Sequence, residues 1–344
     1  MKAFKGIIIG ILTLILIGAV VFFILRNRED GSVDSGDAAQ ILEDDEIDDG
    51  NVDQIRDDDI AGDRNIFRIQ EGERPFLISH GSARELGPDN ALVSFEKYMT
   101  MDVDFIEMDL CITKDDILIT HHDEGIFDNS PNGGNVVVFI RDLTFDYIKE
   151  INIAKDYTDI FGNKPYTEDI IRVANLEELL ERYGDNPKGI RFMIEIKNTG
   201  ENGKRAGEVL SDLLEKYNMH EKAVVCAFDE PTMAHFREYS EGKFYTSTTT
   251  ETSLSVVTHA LAGTDELYTC PDQMMSVPTS DSGYRLDTKE MIDAVHKRNM
   301  SITYWTINDK KTMRDLIEKG ADGIITDRPD LMHELLIEMG YITE

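Results

Sequence analysis

The chain has 344 residues, with 67 Asp and Glu against 35 Lys and Arg, and a formal charge of −32 at pH 7. Nucleic-acid binding draws its affinity from cations that displace the counterions of phosphates, so this balance excludes a nucleic-acid partner. With 41% apolar residues the chain can bury a full core, and its length suits one large domain or two of ordinary size, which excludes a wholly disordered protein.

In chain order, the first element is a run of twenty uncharged residues, 6–25 (GIIIGILTLILIGAVVFFIL). At about 1.5 Å per residue it spans the roughly 30 Å apolar thickness of a bilayer. It ends without a small-residue cleavage site, so residues 1–28 read as an uncleaved membrane anchor rather than a signal peptide. Lys2 and Lys5 before the run balance Arg26 and Arg28 after it. The N-terminal amine tips the orientation inward, which puts the rest of the chain outside the cytoplasm. Residues 29–65 then carry fifteen carboxylates against Arg56 and Arg64. Such a segment buries too little apolar surface to offset its ordering entropy and reads as a self-repelling, disordered linker.

From residue 66 to the end, short apolar runs alternate with stretches of helical period. Strands are predicted at 75–81, 104–113, 190–197, 223–229, 243–250, 274–280, 301–308 and 323–327. Amphipathic stretches such as NALVSFEKYM, NLEELLERYG, GKRAGEVLSDLLEKYNM, TKEMIDAVHKRNM and DKKTMRDLIEKG lie between them, with Asn175 and Asp309 at N-cap positions and Gly184 and Gly320 at C-cap positions. Eight strand-helix units in this length indicate an α/β fold of the (β/α)8 TIM-barrel class rather than an open sheet. Residues 124–172, rich in Gly, Asn, Asp and Pro, interrupt the rhythm after the second strand and read as an insertion over the active-site end. Cys111, Cys226 and Cys270 are too few and too widely spaced for a disulfide framework or a zinc site, and read as buried thiols. The helices carry no apolar stripe that marks an interface with another copy.

In a barrel, polar residues at the C-terminal ends of strands are the candidates for chemistry. His80 follows the apolar run PFLIS. Glu107 and Asp109 are two apart on one strand and therefore enter the barrel on the same face. Two buried carboxylates repel each other, and a divalent metal is the simplest cation to separate them. His121, His122 and Asp123 end the run ILIT. Glu195 and Lys197, again two apart, supply a third carboxylate for the metal and a lysine for an anionic substrate. Three carboxylates without a thiolate suit a hard ion, Mg2+ or Ca2+. Two histidines beside it are equipped to move protons near neutral pH, and together these parts read as a metal-dependent phosphodiesterase.

The order of motifs carries a resemblance: His80-x-x, Pro88-x-Asn90, Glu107-x-Asp109, Thr113-Lys-Asp, His122-Asp, Glu195-Ile-Lys, then Trp305-Thr-Ile-Asn and GADGIITDRP. This series resembles the glycerophosphodiester phosphodiesterase family over essentially the whole segment that follows the linker. The resemblance implies a TIM barrel that hydrolyses glycerophosphodiesters, or related head-group diesters and polymers, to glycerol 3-phosphate and an alcohol. It implies His80 and His122 as the acid/base pair and Glu107, Asp109 and Glu195 as metal ligands. It implies Lys197 near the phosphate and Trp305 near the substrate. Water attacking phosphorus directly, or a substrate hydroxyl attacking first to give a cyclic phosphate, would use the same parts. Two other readings are a phospholipase of the phosphatidylinositol or sphingomyelin type on the same barrel and a non-catalytic surface binding protein. The Glu-Ile-Lys and Trp-Thr-Ile-Asn segments argue against the first, and retention of both histidines and all three carboxylates argues against the second. The chain also departs from the family pattern. Gly81 stands where an arginine that contacts phosphate is usual, Asp89 and Ala91 replace Glu and Thr, Asp116 replaces Gly, and Ala227 replaces Ser. Arg84, in the same loop as Gly81, is a candidate to take over the missing arginine.

Overall fold

In parallel sheets both faces are covered, so strands read as near-continuous apolar runs. Phe105–Ile112 (FIEMDLCI) is such a strand, with every residue buried. The computed structural model describes residues 65–70, 72–166, 169–264 and 267–343. The expected anchor over residues 1–28 lies outside them, as does the expected linker except for Asn65. No helix among the described residues is long and apolar enough to cross a membrane.

Among the described residues eight parallel strands form the barrel: β1 Phe76–Ser79, β2 Phe105–Ile112, β3 Arg191–Ile196, β4 Ala223–Cys226, β5 Tyr245–Thr246, β6 Met274–Val277, β7 Ser301–Tyr304 and β8 Gly323–Thr326. Hydrogen-bonded neighbours run β5-β4-β3-β2-β1-β8-β7-β6. A parallel bridge between Ser247 and Met274 joins the two ends of that path, so the sheet closes. Outside it lie α1 Leu92–Tyr98, α2 Leu176–Tyr183, α3 Gly200–Lys216, α4 Glu230–Tyr239, α5 Thr250–Ala262, α6 Lys289–His296, α7 Lys310–Lys319 and α8 Pro329–Glu338. This is the expected (β/α)8 architecture. Asn175 and Asp309 accept the backbone N–H groups of Glu177 and Thr312, so both predicted N-caps are in place. Gly320 ends α7 in the left-handed conformation, whereas Gly184 ends α2 with φ −60°. The strand predicted over 243–250 is shorter, because Thr249 and Thr252 form a reciprocal cap that turns the chain into α5.

The alternation of side chains sorts the barrel into two cores. Ile106, Met108 and Leu110 of β2 and Phe192, Ile194 and Ile196 of β3 pack outward under the helices. The intervening residues face inward in register, Phe105 beside Arg191, Glu107 beside Met193 and Asp109 beside Glu195. The N-terminal floor is aromatic: Phe67 packs against Phe105 and edge-on against Tyr245. The Arg191 guanidinium lies 4.5 to 5.4 Å from the ring centroids of Phe67, Phe76 and Phe105. Asn65 pins this floor by donating to the carbonyls of Gln273 and Asn299, so the ordered domain takes in the last residue assigned to the linker. Apolar residues thus fill one end of the barrel and leave the carboxylates of β2 and β3 at the other.

The segment after β2 first returns as an antiparallel strand, Leu118–Thr120, so the run that ends in His121 and His122 is not itself a barrel strand. A hairpin of Gly125–Asp128 and Val136–Phe139 follows, then a helical turn, Phe145–Ile148. These pieces, with the loop that follows them, make up the insertion expected over residues 124–172. None of them lines the central pocket. Ile126, Ile140, Ile148 and Ile151 instead draw the segment onto Cys111, Ile119 and Val173, where they form a separate small core. All three cysteines are free thiols, Cys111 and Cys226 buried and Cys270 only half-buried.

Candidate active site

The charged end of the barrel opens into a pocket of about 250 Å³. All seven site residues expected from the sequence line it: His80, Glu107, Asp109, His122, Glu195, Lys197 and Trp305.

Glu107, Asp109 and Glu195 each present a carboxylate oxygen, all within 4.8 Å of one another. Burial pushes the Glu107 carboxyl well above the usual carboxylate range, and Asp109 and Glu195 push it further, against a 2.6 Å hydrogen bond from the Gly81 N–H. Burial also raises Glu195, although Lys197 opposes it. Burial alone would raise Asp109 as well. Lys197, Arg84 and the amide of Asn90 overcome that and hold it below its ordinary value. Arg84 Nη2 and Asn90 Nδ2 donate to Asp109 Oδ2 at 2.7 and 2.8 Å. Lys197 Nζ donates to Glu195 Oε1 at 2.7 Å and stands 3.5 Å from Asp109 Oδ1. Three crowded oxygen donors, two of them with raised affinity for a proton, fit a hard divalent cation. Cys226 lines the pocket but is not a member of this cluster.

Each histidine of the pocket is held by a carboxylate. His80 opens a short 3-10 turn at the end of β1, and its Nδ1 lies 2.7 Å from Asp327 Oδ1, just past β8. Asn308, beyond β7, donates to Asp327 Oδ2 at 2.7 Å and accepts from the Asp327 N–H at 2.9 Å. Burial would raise Asp327, but the hydrogen bonds from His80 and Asn308 keep it below its ordinary value. His122 Nδ1 lies 2.8 Å from Asp123 Oδ1, a bond that lowers the Asp123 carboxyl, and His122 Nε2 is 3.4 Å from Lys197 Nζ. His121 turns its Nδ1 to the Asp123 carbonyl and stays out of the pocket. At the mouth Trp305 meets Phe228 edge-on, with centroids 5.8 Å apart. Asp327, Asn308 and Asn90 were not singled out by residue type, although all three lie within the motifs Pro-x-Asn, Trp-Thr-Ile-Asn and GADGIITDRP. The arrangement can hold a cation, attract an anion through Arg84 and Lys197, and exchange protons at two oriented imidazoles.

Residues 80–331 match the profile of the glycerophosphoryl diester phosphodiesterase family. The chain belongs to this family. Its relatives include the Bacillus subtilis protein YhdW, 28% identical over 265 residues that make up 75% of this chain and 96% of that one. A glycerophosphodiester phosphodiesterase of Caldanaerobacter subterraneus is 24% identical over 271 residues, 78% of this chain and all of the other. An Oleispira antarctica phosphodiesterase, solved in complex with its product sn-glycerol-3-phosphate, shares the fold at a TM-score of 0.59 and 14% identity, over 76% of this chain and 96% of that one. As a member of the glycerophosphoryl diester phosphodiesterase family, the chain is a hydrolase acting on phosphodiesters.

Proposed function

We propose that the protein hydrolyses glycerophosphodiesters, small molecules or lipid head groups, to glycerol 3-phosphate and an alcohol, with Mg2+ or Ca2+ held by Glu107, Asp109 and Glu195. The observation that carries this reading is the convergence of two carboxylate-held histidines on one three-carboxylate pocket. The cation would neutralise charge on the nonbridging phosphate oxygens. Lys197, drawn to Glu195 and Asp109, adds a positive charge for the phosphate. Because Asp327 and Asp123 occupy Nδ1 of His80 and His122, proton exchange falls to the Nε2 atoms, that of His122 beside Lys197 Nζ: one takes a proton from the attacking oxygen and the other gives one to the departing alkoxide. Trp305 supplies an apolar wall against the part of the substrate beyond the phosphate. The run 6–25 anchors the chain in a membrane, with the barrel outside the cytoplasm and residues 29–64 as its tether.

The full chain, purified in detergent, is assayed on bis(p-nitrophenyl) phosphate and glycerophosphocholine with Mg2+, Ca2+ or EDTA. The expected result is release that requires a divalent cation and is lost in H80A and H122A. Absence of turnover with either cation, together with no bound metal, sinks the reading. Anchoring is tested separately: protease added to intact cells should degrade the barrel while the protein stays in the membrane fraction.

A further inference from the structure

Gly81 and Arg84 form a matched pair. Gly81 has φ +50°, a backbone conformation that suits glycine. A Cβ placed on it would sit 2.4 Å from Arg84 Nε and 2.3 Å from Asp89 Oδ1. The volume into which a side chain at position 81 would project is therefore already filled by Arg84 and by the carboxylate that steadies it. Arg84 Nε donates to Asp89 at 2.8 Å and Nη2 to Asp109 at 2.7 Å. Its Nη1 has no hydrogen-bond partner among the described residues, and the side chain lines the pocket with Lys197 and both histidines. Asp109 thus lies between two cations, Arg84 at Oδ2 and Lys197 near Oδ1.

We propose that Arg84 is a substrate-binding residue whose guanidinium grips a nonbridging oxygen of the phosphate, and that the missing side chain at Gly81 is what admits it to the pocket. The proposal rests on the phosphodiesterase reading and assigns that site a second phosphate cation. The chemistry favours arginine here. A guanidinium fork keeps its bonds to Asp89 and Asp109 through Nε and Nη2 and still offers Nη1 to an anion, adding a directed donor to the point charge of Lys197.

Binding of glycerol 3-phosphate is measured by calorimetry on the full chain in detergent with saturating Mg2+, and Mg2+ binding is measured separately without it. Losing a charge-assisted bond should weaken glycerol 3-phosphate about 10- to 100-fold in R84A, while Mg2+ binds as well as before or more tightly because a rival cation of Asp109 has gone. G81A should weaken glycerol 3-phosphate in the wild-type background, since its Cβ expels the arginine, and should have little further effect on top of R84A. Should R84A fail to fold, R84K reads the same contrast, because it keeps the charge beside Asp109 but loses the fork, and a several-fold weakening is expected. Wild-type affinity for glycerol 3-phosphate in R84A, or in R84K, overturns the proposal. So does a loss in R84A that only mirrors a loss of Mg2+, which would make Arg84 a support for Asp109. A wild-type chain that neither binds glycerol 3-phosphate nor cleaves any diester fails at the phosphodiesterase reading itself, and the proposal falls with it.

Discussion

His80 Nδ1 meets the Asp327 carboxylate across 247 residues of sequence, and Asn308 in turn donates to the other oxygen of that carboxylate and accepts from the Asp327 backbone N–H. An imidazole whose Nδ1 proton is engaged in this way presents Nε2 in a single tautomer and a single orientation. Asp327 touches the histidine rather than the phosphate, so it is a positioning residue. D327N keeps the shape of the side chain but removes its charge. Its kcat is expected to fall on the order of 10- to 100-fold, part of the 10²–10⁴ that a proton-transferring group supplies, with KM little changed and the acidic limb of the pH–rate profile displaced. A D327N enzyme with wild-type kcat and an unmoved profile removes Asp327 from the mechanism. Asp116 shows the opposite relation between residue and role. It stands where the family usually has glycine, carries φ 62°, and is tied to Arg205 by an ion pair of 2.6 Å. The turn takes the left-handed geometry that suits glycine, and an ion pair at the surface accompanies the aspartate.

At the scale of elements, α3 and α4 approach one another at Gly203, where a Cβ would fall 2.2 Å from Thr232 Oγ1 and 2.6 Å from the Asn198 carbonyl. The hydroxyl could turn away, but the carbonyl belongs to the turn that leads out of β3. G203A is therefore expected to cost about 1–3 kcal/mol by overpacking, read as a Tm several degrees lower at roughly 2–4 °C per kcal/mol for a domain of this size. T232A should not restore it. A G203A melt that coincides with wild type would show that the turn gives way freely. These elements also explain what could be read in advance. All eight strands were legible because buried parallel strands leave apolar runs, and α1, α2, α3, α6 and α7 were legible because their apolar residues keep to one face. The helices α4, α5 and α8 were not picked out. Polar residues of α5 such as Thr252 are buried while Leu254 and Leu261 are exposed, so its sequence lacks a clean stripe. Pairs set by strand alternation, Glu107 with Asp109 and Glu195 with Lys197, were visible locally. The bond from His80 to Asp327 and that from Arg84 to Asp109 arise only when the ends of different strands are brought together.

At the scale of the whole molecule, the −32 charge repels anions at long range, and the pocket adds three carboxylates within 4.8 Å of one another at its heart. Without a cation that cluster opposes folding, since burial and mutual repulsion disfavour the ionised form of Glu107. In EDTA the folded protein holds the Glu107 proton more tightly than the unfolded chain does. Stability should therefore fall as pH rises from about 4.3, the ordinary glutamate value, through the higher folded value. E107Q removes the repulsion and keeps the shape. Its Tm in EDTA at neutral pH is expected to exceed that of wild type, with a flatter dependence on pH above the ordinary carboxylate range. Adding Mg2+ or Ca2+ should reverse the order, because a ligand that binds only the folded state stabilises wild type in proportion to its affinity and finds an incomplete site in E107Q. Thermal melts of both proteins, with EDTA and with each cation, test the argument directly. If E107Q is the less stable protein in EDTA, or gains as much from the cation as wild type does, the carboxylates are not held together at a cost that metal binding offsets.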